Sequence, residues 1–193
     1  MSNQKDFIRI KNLLDGQWVE VCGVDYVPLY NPSIGEEMGE VPLSRPETST
    51  QAVHSAHAAN DTWRNMTVNQ RVSYLYKIRQ AMIDKKEELA FSIAVDQAKH
   101  ISEVRGEVQR VVQIIETARS IPTLIQGKSL DHIAGNINGR VVKAPLGVFC
   151  GVAPFNFPAL VFGWFVHFVI GVGSTFVFKP STQSPYFMQK MDE

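Results

Sequence analysis

Asn156 and Lys179 are the two side chains whose sequence surroundings best suit them to chemistry. Asn156 lies in Ala153-Pro154-Phe155-Asn156-Phe157-Pro158, where a proline on either side restricts the backbone. An amide held at a fixed angle can donate a hydrogen bond to a developing negative charge. Lys179 ends the apolar run Phe176-Val177-Phe178 and begins Lys179-Pro180-Ser181, bringing a cation with three donors. Each has a plainer reading. A Pro-x-Asn-x-Pro loop is by itself a turn, and a lysine at a strand end is ordinarily solvated. Arg110 falls on a long predicted helix with Glu103, Arg105 and Glu107 close by. There an i−3 ion pair with Glu107 on a wet face competes with any role toward a ligand.

The elements that must position Asn156 and Lys179 are legible in residues 146–179. Leu146 to Val152 is an apolar run without polar alternation, the pattern of a parallel strand covered on both faces. Phe176-Val177-Phe178 reads the same way, and Ala159 to Val172 between them suits a helix of about four turns. Strand, helix, strand predicts a right-handed crossover with the strands parallel. In such units the ligand sits beyond the carboxyl ends of the strands. Those ends are 153–158 and 179–181. No Asp, Glu, Lys or Arg occurs between Lys143 and Lys179, and about 20 apolar residues can span a bilayer. Pro154, Pro158, Gly151, Gly163, Gly171 and Gly173 divide this run into strand-length and helix-length pieces, which argues against a membrane span.

Asp15-Gly16, between Ile8/Ile10 and Trp18-Val19-Glu20-Val21, predicts a hairpin. Asn31 to Gly35 predicts a turn, and Glu40 to Leu43 a short extended piece. Ala52, Ala56, Ala59 and Trp63 share one helical face. Thr67 and Gln70 form a capping box that opens a helix carrying Val72, Leu75, Ile78 and Met82. A helix from Lys86 comes next, with Leu89 and Ile93. A longer one spans Ile101 to Ile121, with Val104, Val108, Val111, Ile115 and Ala118 inward, and stops before Pro122. Asn136 to Gly139 bends a second hairpin between 129–133 and 140–143.

The chain has 193 residues, 45% of them hydrophobic, which suffices for a core. With 19 basic and 19 acidic residues, formal net charge is zero, so neither nucleic acid nor an anionic membrane is implied as partner. Two cysteines, Cys22 and Cys150, make neither a disulfide framework nor a metal site. Cys150 is expected inside a buried strand, where an apolar setting makes a thiol inert. The five histidines show no metal-ligand spacing; His54 and His57 read as a polar helix face. The first residues carry no apolar signal core, so a cytoplasmic location is expected.

The loop PFNFP followed by TFVFKPS resembles the aldehyde dehydrogenase superfamily. GVAPFNFPA, with RGEVQR at 105–110, is most like its CoA-acylating methylmalonate-semialdehyde dehydrogenases. The resemblance runs from Leu14-Asp15-Gly16 and Asn31-Pro32 onward. It implies the N-terminal part of an α/β fold: an incomplete Rossmann-like parallel sheet with helices and a protruding oligomerisation hairpin. Residues 1–128 correspond to the first strands and helices of the NAD-binding domain, 129–143 to the hairpin, and 144–193 to the first βαβ unit. It also implies NAD as cofactor and CoA as co-substrate. Asn156 falls at the oxyanion-hole amide, and Ala153 and Phe155 line the NAD site. Lys179 falls where a lysine bonds the adenosine ribose, and Arg110 where an arginine meets the substrate carboxylate. The resembled hairpin pairs with other subunits, and a two-stranded ribbon is marginal alone. A homo-oligomer, or association with a full-length subunit, is therefore expected.

Some positions depart from the pattern. Thr182 stands where the family has a glutamate that contacts the ribose. Phe162, Gly163 and His167 replace the usual proline and aliphatic residues, and Val111 replaces a glycine. Oxidising an aldehyde through a thioester needs a cysteine thiolate and a general base; the resemblance puts both beyond Glu193. Two readings stay open. One is the front part of an NAD-dependent, CoA-acylating semialdehyde dehydrogenase. The other is a non-catalytic remnant that pairs with a full-length relative or binds nucleotide weakly.

Overall fold

The computed structural model describes residues 7–191. Its N-terminal strands form two small sheets. Strands β1 (Ile8–Arg9), β4 (Tyr26–Asn31) and β5 (Glu36–Pro42) are ordered β1-β5-β4, and β2 (Asn12–Leu14) pairs with β3 (Gln17–Val19). The predicted Asp15-Gly16 turn joins β2 to β3, with φ of 52° and 70° at its two residues. A two-residue turn whose twist matches the strands needs positive φ at both. Ile8 does not belong to this hairpin but pairs in parallel with Gly39 of β5. Ile10, Leu29 and Val41 close a small satellite core.

The main core is helical. α1 (Pro46–Asn65), α2 (Val68–Asp84), α3 (Lys86–Gln97) and α4 (Ile101–Ala118) precede the βαβ unit. α2 opens on the predicted capping box: Gln70 N donates to Thr67 Oγ1 at 3.3 Å, and Thr67 N to Gln70 Oε1 at 2.9 Å. The inward residues predicted for α4, Val104, Val108, Val111, Ile115 and Ala118, are all fully buried. α4 ends three residues earlier than its hydrophobic period suggests. Arg119 and Ser120 turn the chain, and Pro122, lacking an N–H, serves in the first turn of α5 (Ile121–Leu124). On α1 the buried position is Asn60, while Ala59 is exposed. Ala52, Ala56 and Trp63 turn inward, so the face runs through 60, one residue from the predicted position.

β6 (Lys128–Ala134) and β7 (Ile137–Val141) form an antiparallel ribbon with mostly exposed side chains. Its turn is at Gly135-Asn136, not Asn136 to Gly139: Ala134 pairs with Ile137, and Asn136 takes φ 62°. Asn138 is used elsewhere, its Oδ1 accepting from His132 N at 2.9 Å across an irregularity in the ladder. Gly139 lies opposite Leu130, where a Cβ would run into the Ile133 side chain.

The last unit is β8 (Val148–Val152), α6 (Pro158–Val172) and β9 (Thr175–Lys179), followed by α7 (Tyr186–Met191). β8 and β9 are parallel, in register from Val148↔Thr175 to Val152↔Lys179. α6 packs on one face, with Phe162 edge-on to Phe178 at 5.2 Å. α1 meets the other, where Thr175 Oγ1 donates to Ala56 O at 2.8 Å. α6 comes close to α4 because Gly163 has no side chain: a Cβ there would lie 3.1 Å from Val111 Cγ1. Arg71 ties the ends of two helices. Its Nε donates to Gly171 O at 3.1 Å, in the last turn of α6, and its Nη1 to Met66 O, just past the C-terminus of α1.

The sheet is not covered on both faces along its length. Cys150, expected to be buried, is exposed. It is the register partner of Val177 and so shares the face that α1 meets at Thr175. α1 does not extend over Cys150, and Val152 on the same face is 69% exposed. Among the described residues, no helix is long and apolar enough to cross a membrane.

Candidate active site at the carboxyl ends of the parallel strands

Past Val152, Ala153 continues the ladder: it is buried, and its N–H donates to Lys179 O at 3.0 Å. The chain then leaves the sheet as an exposed loop, Pro154 to Phe157, before entering α6. α6 has no side-chain cap of its own. Glu107 of α4 supplies it, Oε1 accepting from Ala159 N at 3.0 Å and Leu160 N at 3.1 Å. A carboxylate at a helix N-terminus satisfies free N–H groups and opposes the positive end of the dipole.

The ion pair between Arg110 and Glu107, the plainer alternative to a ligand role for Arg110, does not form. Glu107 is buried and faces α6. Arg110 is exposed and makes no hydrogen bond or ion pair among the described residues. The partner of Glu107 is Lys99, with Nζ 3.6 Å from Oε2. Lys99 Nζ also lies 4.2 Å above the Phe157 ring and donates to Asn156 O. Gln97 Nε2 donates to Phe155 O. The loop is thus held through its carbonyls from the α3–α4 connection. The Asn156 side-chain amide, exposed and without a hydrogen bond among the described residues, is free to donate. Phe155 is 55% exposed.

At the neighbouring strand end Lys179 is exposed and donates to Pro180 O at 2.9 Å. It forms no ion pair among the described residues. Gln183 N donates to Ser181 Oγ at 3.2 Å, shaping the next turn. Thr182 is half-buried. Asp96, at the end of α3, anchors the chain from Ser184 into α7: Tyr186 N donates to its Oδ2 at 2.8 Å and Ser184 Oγ at 3.3 Å. Burial pushes the Asp96 carboxyl up to about 7, partly offset by those donors.

Phe155, Asn156 and Thr182 line one cleft of about 650 Å³, together with Asp96, Gln97 and Lys99 and with β4 on the far side. Ala153 and Lys179, at the strand ends, and Arg110, on α4, are not among its lining residues. Neither Cys22 nor Cys150 lines it. Sequence reasoning missed Asp96, Gln97 and Lys99. A signal existed: an aspartate in the last turn of a helix opposes the dipole and must find its donors elsewhere. Among the described residues, no three His, Cys, Asp or Glu side chains gather as a metal site. The available donors suit a polyhydroxylated, anionic nucleotide: an unpaired ammonium, hydroxyls and a free amide at adjacent parallel strand ends.

A parallel strand–helix–strand unit with its polar groups at the strand ends belongs to the dinucleotide-binding α/β class. The family model for the aldehyde dehydrogenase family matches residues 18–193, and the chain belongs to that family. A malonate-semialdehyde dehydrogenase from Bacillus thuringiensis (strain Al Hakam) is 38% identical over 185 residues. That match covers 96% of this chain and 38% of the relative, so the chain spans under two fifths of the relative's length. A candidate methylmalonate-semialdehyde dehydrogenase from Sinorhizobium meliloti 1021, solved with NAD, superposes with a TM-score of 0.93 at 26% identity, covering 97% of this chain and 38% of that one. A methylmalonate-semialdehyde dehydrogenase from Oceanimonas doudoroffii gives 0.90 at 28%, covering 93% and 36%.

Proposed function

We propose that the chain supplies the nucleotide-binding entrance and oxyanion donor of an NAD-dependent, CoA-acylating dehydrogenase of malonate or methylmalonate semialdehyde. The observation that carries this reading is the unpartnered Asn156 amide and the unpaired Lys179 ammonium at adjacent carboxyl ends of β8 and β9. Lys179 donates to the adenosine ribose hydroxyls, Thr182 offers a weaker hydroxyl contact, and Ala153 and Phe155 line the nucleotide. NAD, when bound, accepts a hydride. Asn156 donates to the aldehyde oxygen as it becomes negative, and Arg110 meets the substrate carboxylate. The reaction further needs a cysteine thiolate and a general base; neither Cys22 nor Cys150 lines the cleft, and the CoA thiol would displace the acyl group from that cysteine, breaking the thioester and freeing the thiolate. The β6–β7 ribbon, with Leu130, Ile133, Ile137 and Val141 exposed, pairs with another subunit.

A second reading keeps the binding and the pairing but not the catalysis. It is favoured by the two thiols, both away from the cleft that holds Asn156. Calorimetric titration with NAD tests what the two readings share. Affinity weaker than micromolar, weakened further by Lys179→Ala, is expected; no binding at millimolar NAD overturns it. Mixing with a full-length relative, semialdehyde, NAD and CoA separates them. Turnover that the chain raises and its Asn156→Ala variant does not supports the first reading.

A further inference from the structure

Among the described residues, Gln97 is the one side chain whose hydrogen bonds reach both strand-end loops. Its Nε2 donates to Phe155 O, in the loop that carries Asn156, and to Ser184 Oγ at 3.1 Å, in the loop after Lys179 and Thr182. Ser184 is buried and its own O–H donates to Asp96 Oδ2 at 3.3 Å, so the acceptor end of this bridge is fixed to α3. The segment from 184 is fixed again where Tyr186 N donates to the same oxygen at 2.8 Å. Gln97 sits at the last residue of α3, next to Ala98, so its side chain springs from an anchored point. The other ties of the Asn156 loop, through Lys99 and Glu107, reach only that loop and the start of α6. Without Gln97 nothing described ties the two loops to each other by a side chain.

We infer that Gln97 is a positioning residue that couples the loops, so that nucleotide held at the Lys179–Thr182 end also orders the Asn156 loop. A ligand stabilises whichever conformations it binds. Nucleotide that selects the ordered 179–184 loop keeps Ser184 in place, and Ser184 in place keeps the Gln97 amide aimed at Phe155 O. The coupling is reciprocal, so an ordered Asn156 loop favours nucleotide in turn. The consequence is timing: the oxyanion donor is set when cofactor is present. This rests on the nucleotide-binding reading above, and the experiment separates the two.

Amide hydrogen exchange of the whole chain, followed by mass spectrometry with and without millimolar NAD, reads the ordering of each loop. In the unaltered chain NAD slows exchange in peptides covering 180–187 and also in those covering 153–160. In Gln97→Ala the first effect stays and the second falls by about fivefold in rate, the scale of one net hydrogen bond, leaving only what direct contact of Ala153 and Phe155 with nucleotide gives. Gln97→Glu fills the same space but has no N–H to donate. It must uncouple the loops as Ala does; if it keeps them coupled, packing rather than donation does the work and the proposal fails. Ser184→Ala, which removes the acceptor on the far side, should also uncouple them. Protection at 153–160 that is undiminished in Gln97→Ala overturns the proposal and leaves nucleotide binding intact. So does its absence in the unaltered chain when 180–187 responds. No response in either segment overturns the nucleotide reading, and the coupling with it. Thermal melts of each variant report folding, and a variant that melts below the assay temperature is replaced by Ser184→Ala, which bears on the same bridge.

Discussion

Glu107→Ala is expected to be among the most damaging single changes in this chain. Glu107 is 5% exposed, and one of its oxygens holds two amides at the start of α6. Removing a charged acceptor of a hydrogen bond costs about 1.5–3 kcal/mol, and the two bonds share one oxygen and do not simply add. The helix dipole contributes about 0.3–1 kcal/mol more. Lys99 loses its carboxylate partner at 3.6 Å, though its side chain is 24% exposed and partly hydrated. Breaking a buried charged contact of this kind costs about 3–5 kcal/mol. That is a large share of the roughly 5–15 kcal/mol that holds a domain together. Glu107→Gln keeps an oxygen for the two amides and loses only the charge, so about 1–2 kcal/mol is expected. Urea unfolding at neutral pH and low protein concentration, followed by far-UV circular dichroism, gives both numbers. In thermal melts each kcal/mol lowers Tm by about 2–4 °C for a chain of this size. If Ala falls within about 1 kcal/mol of the unaltered chain, or if Gln is as harmful as Ala, the cap across helices does not hold α6.

Ala98 ends α3 in the left-handed region at φ 53°, where a Cβ costs about 1–2 kcal/mol; Ala98→Gly should raise the urea midpoint by roughly 1 kcal/mol of stability after its greater unfolded-state entropy. Arg71→Met leaves Gly171 O and Met66 O without their donor and should lower stability by about 2–4 kcal/mol in the same assay, with unchanged stability as the refuting result. The Asp96 carboxyl is raised from 3.8 to about 7 in the fold. The unfolded chain therefore releases its proton first, and stability falls as pH rises from about 4 to about 7, by up to about 4 kcal/mol. Asp96→Asn should remove that slope. His167, fully buried, has its pKa lowered below 6.5 by desolvation. Its contribution has the opposite sign, being intact above 6.5 and lost as pH falls through the lowered value. His167→Leu should therefore make the chain more resistant to acid, and a steeper acid loss in that variant would refute the assignment.

Local rules carried much of the architecture. The capping box at Thr67, the Asp15-Gly16 turn, the inward stripe of α4 and the strand–helix–strand order depend on neighbours within about one helical turn or one hairpin. The sequence shows such neighbours directly, and the resemblance carried by PFNFP and TFVFKPS led to the family. Errors came where a distant contact decided. Asn138 reads as a turn residue until His132 claims its side chain, and the turn moves to Gly135-Asn136. Cys150 reads as buried because its run is apolar, yet burial depends on which helix lies over that stretch of sheet. Glu107 looks like a partner for Arg110 because they are one turn apart; its position on the helix instead turns it inward, to an α6 start that lacks a cap of its own. The same holds for the candidate site. Asn156 and Lys179 could be named from the sequence because proline and strand chemistry surround them. Gln97, Lys99 and Asp96, which hold their loops, meet those loops only after some 55 to 90 intervening residues have folded back. Side chains that act on their own segment are written in the local pattern, and side chains that position another segment are set by tertiary packing alone.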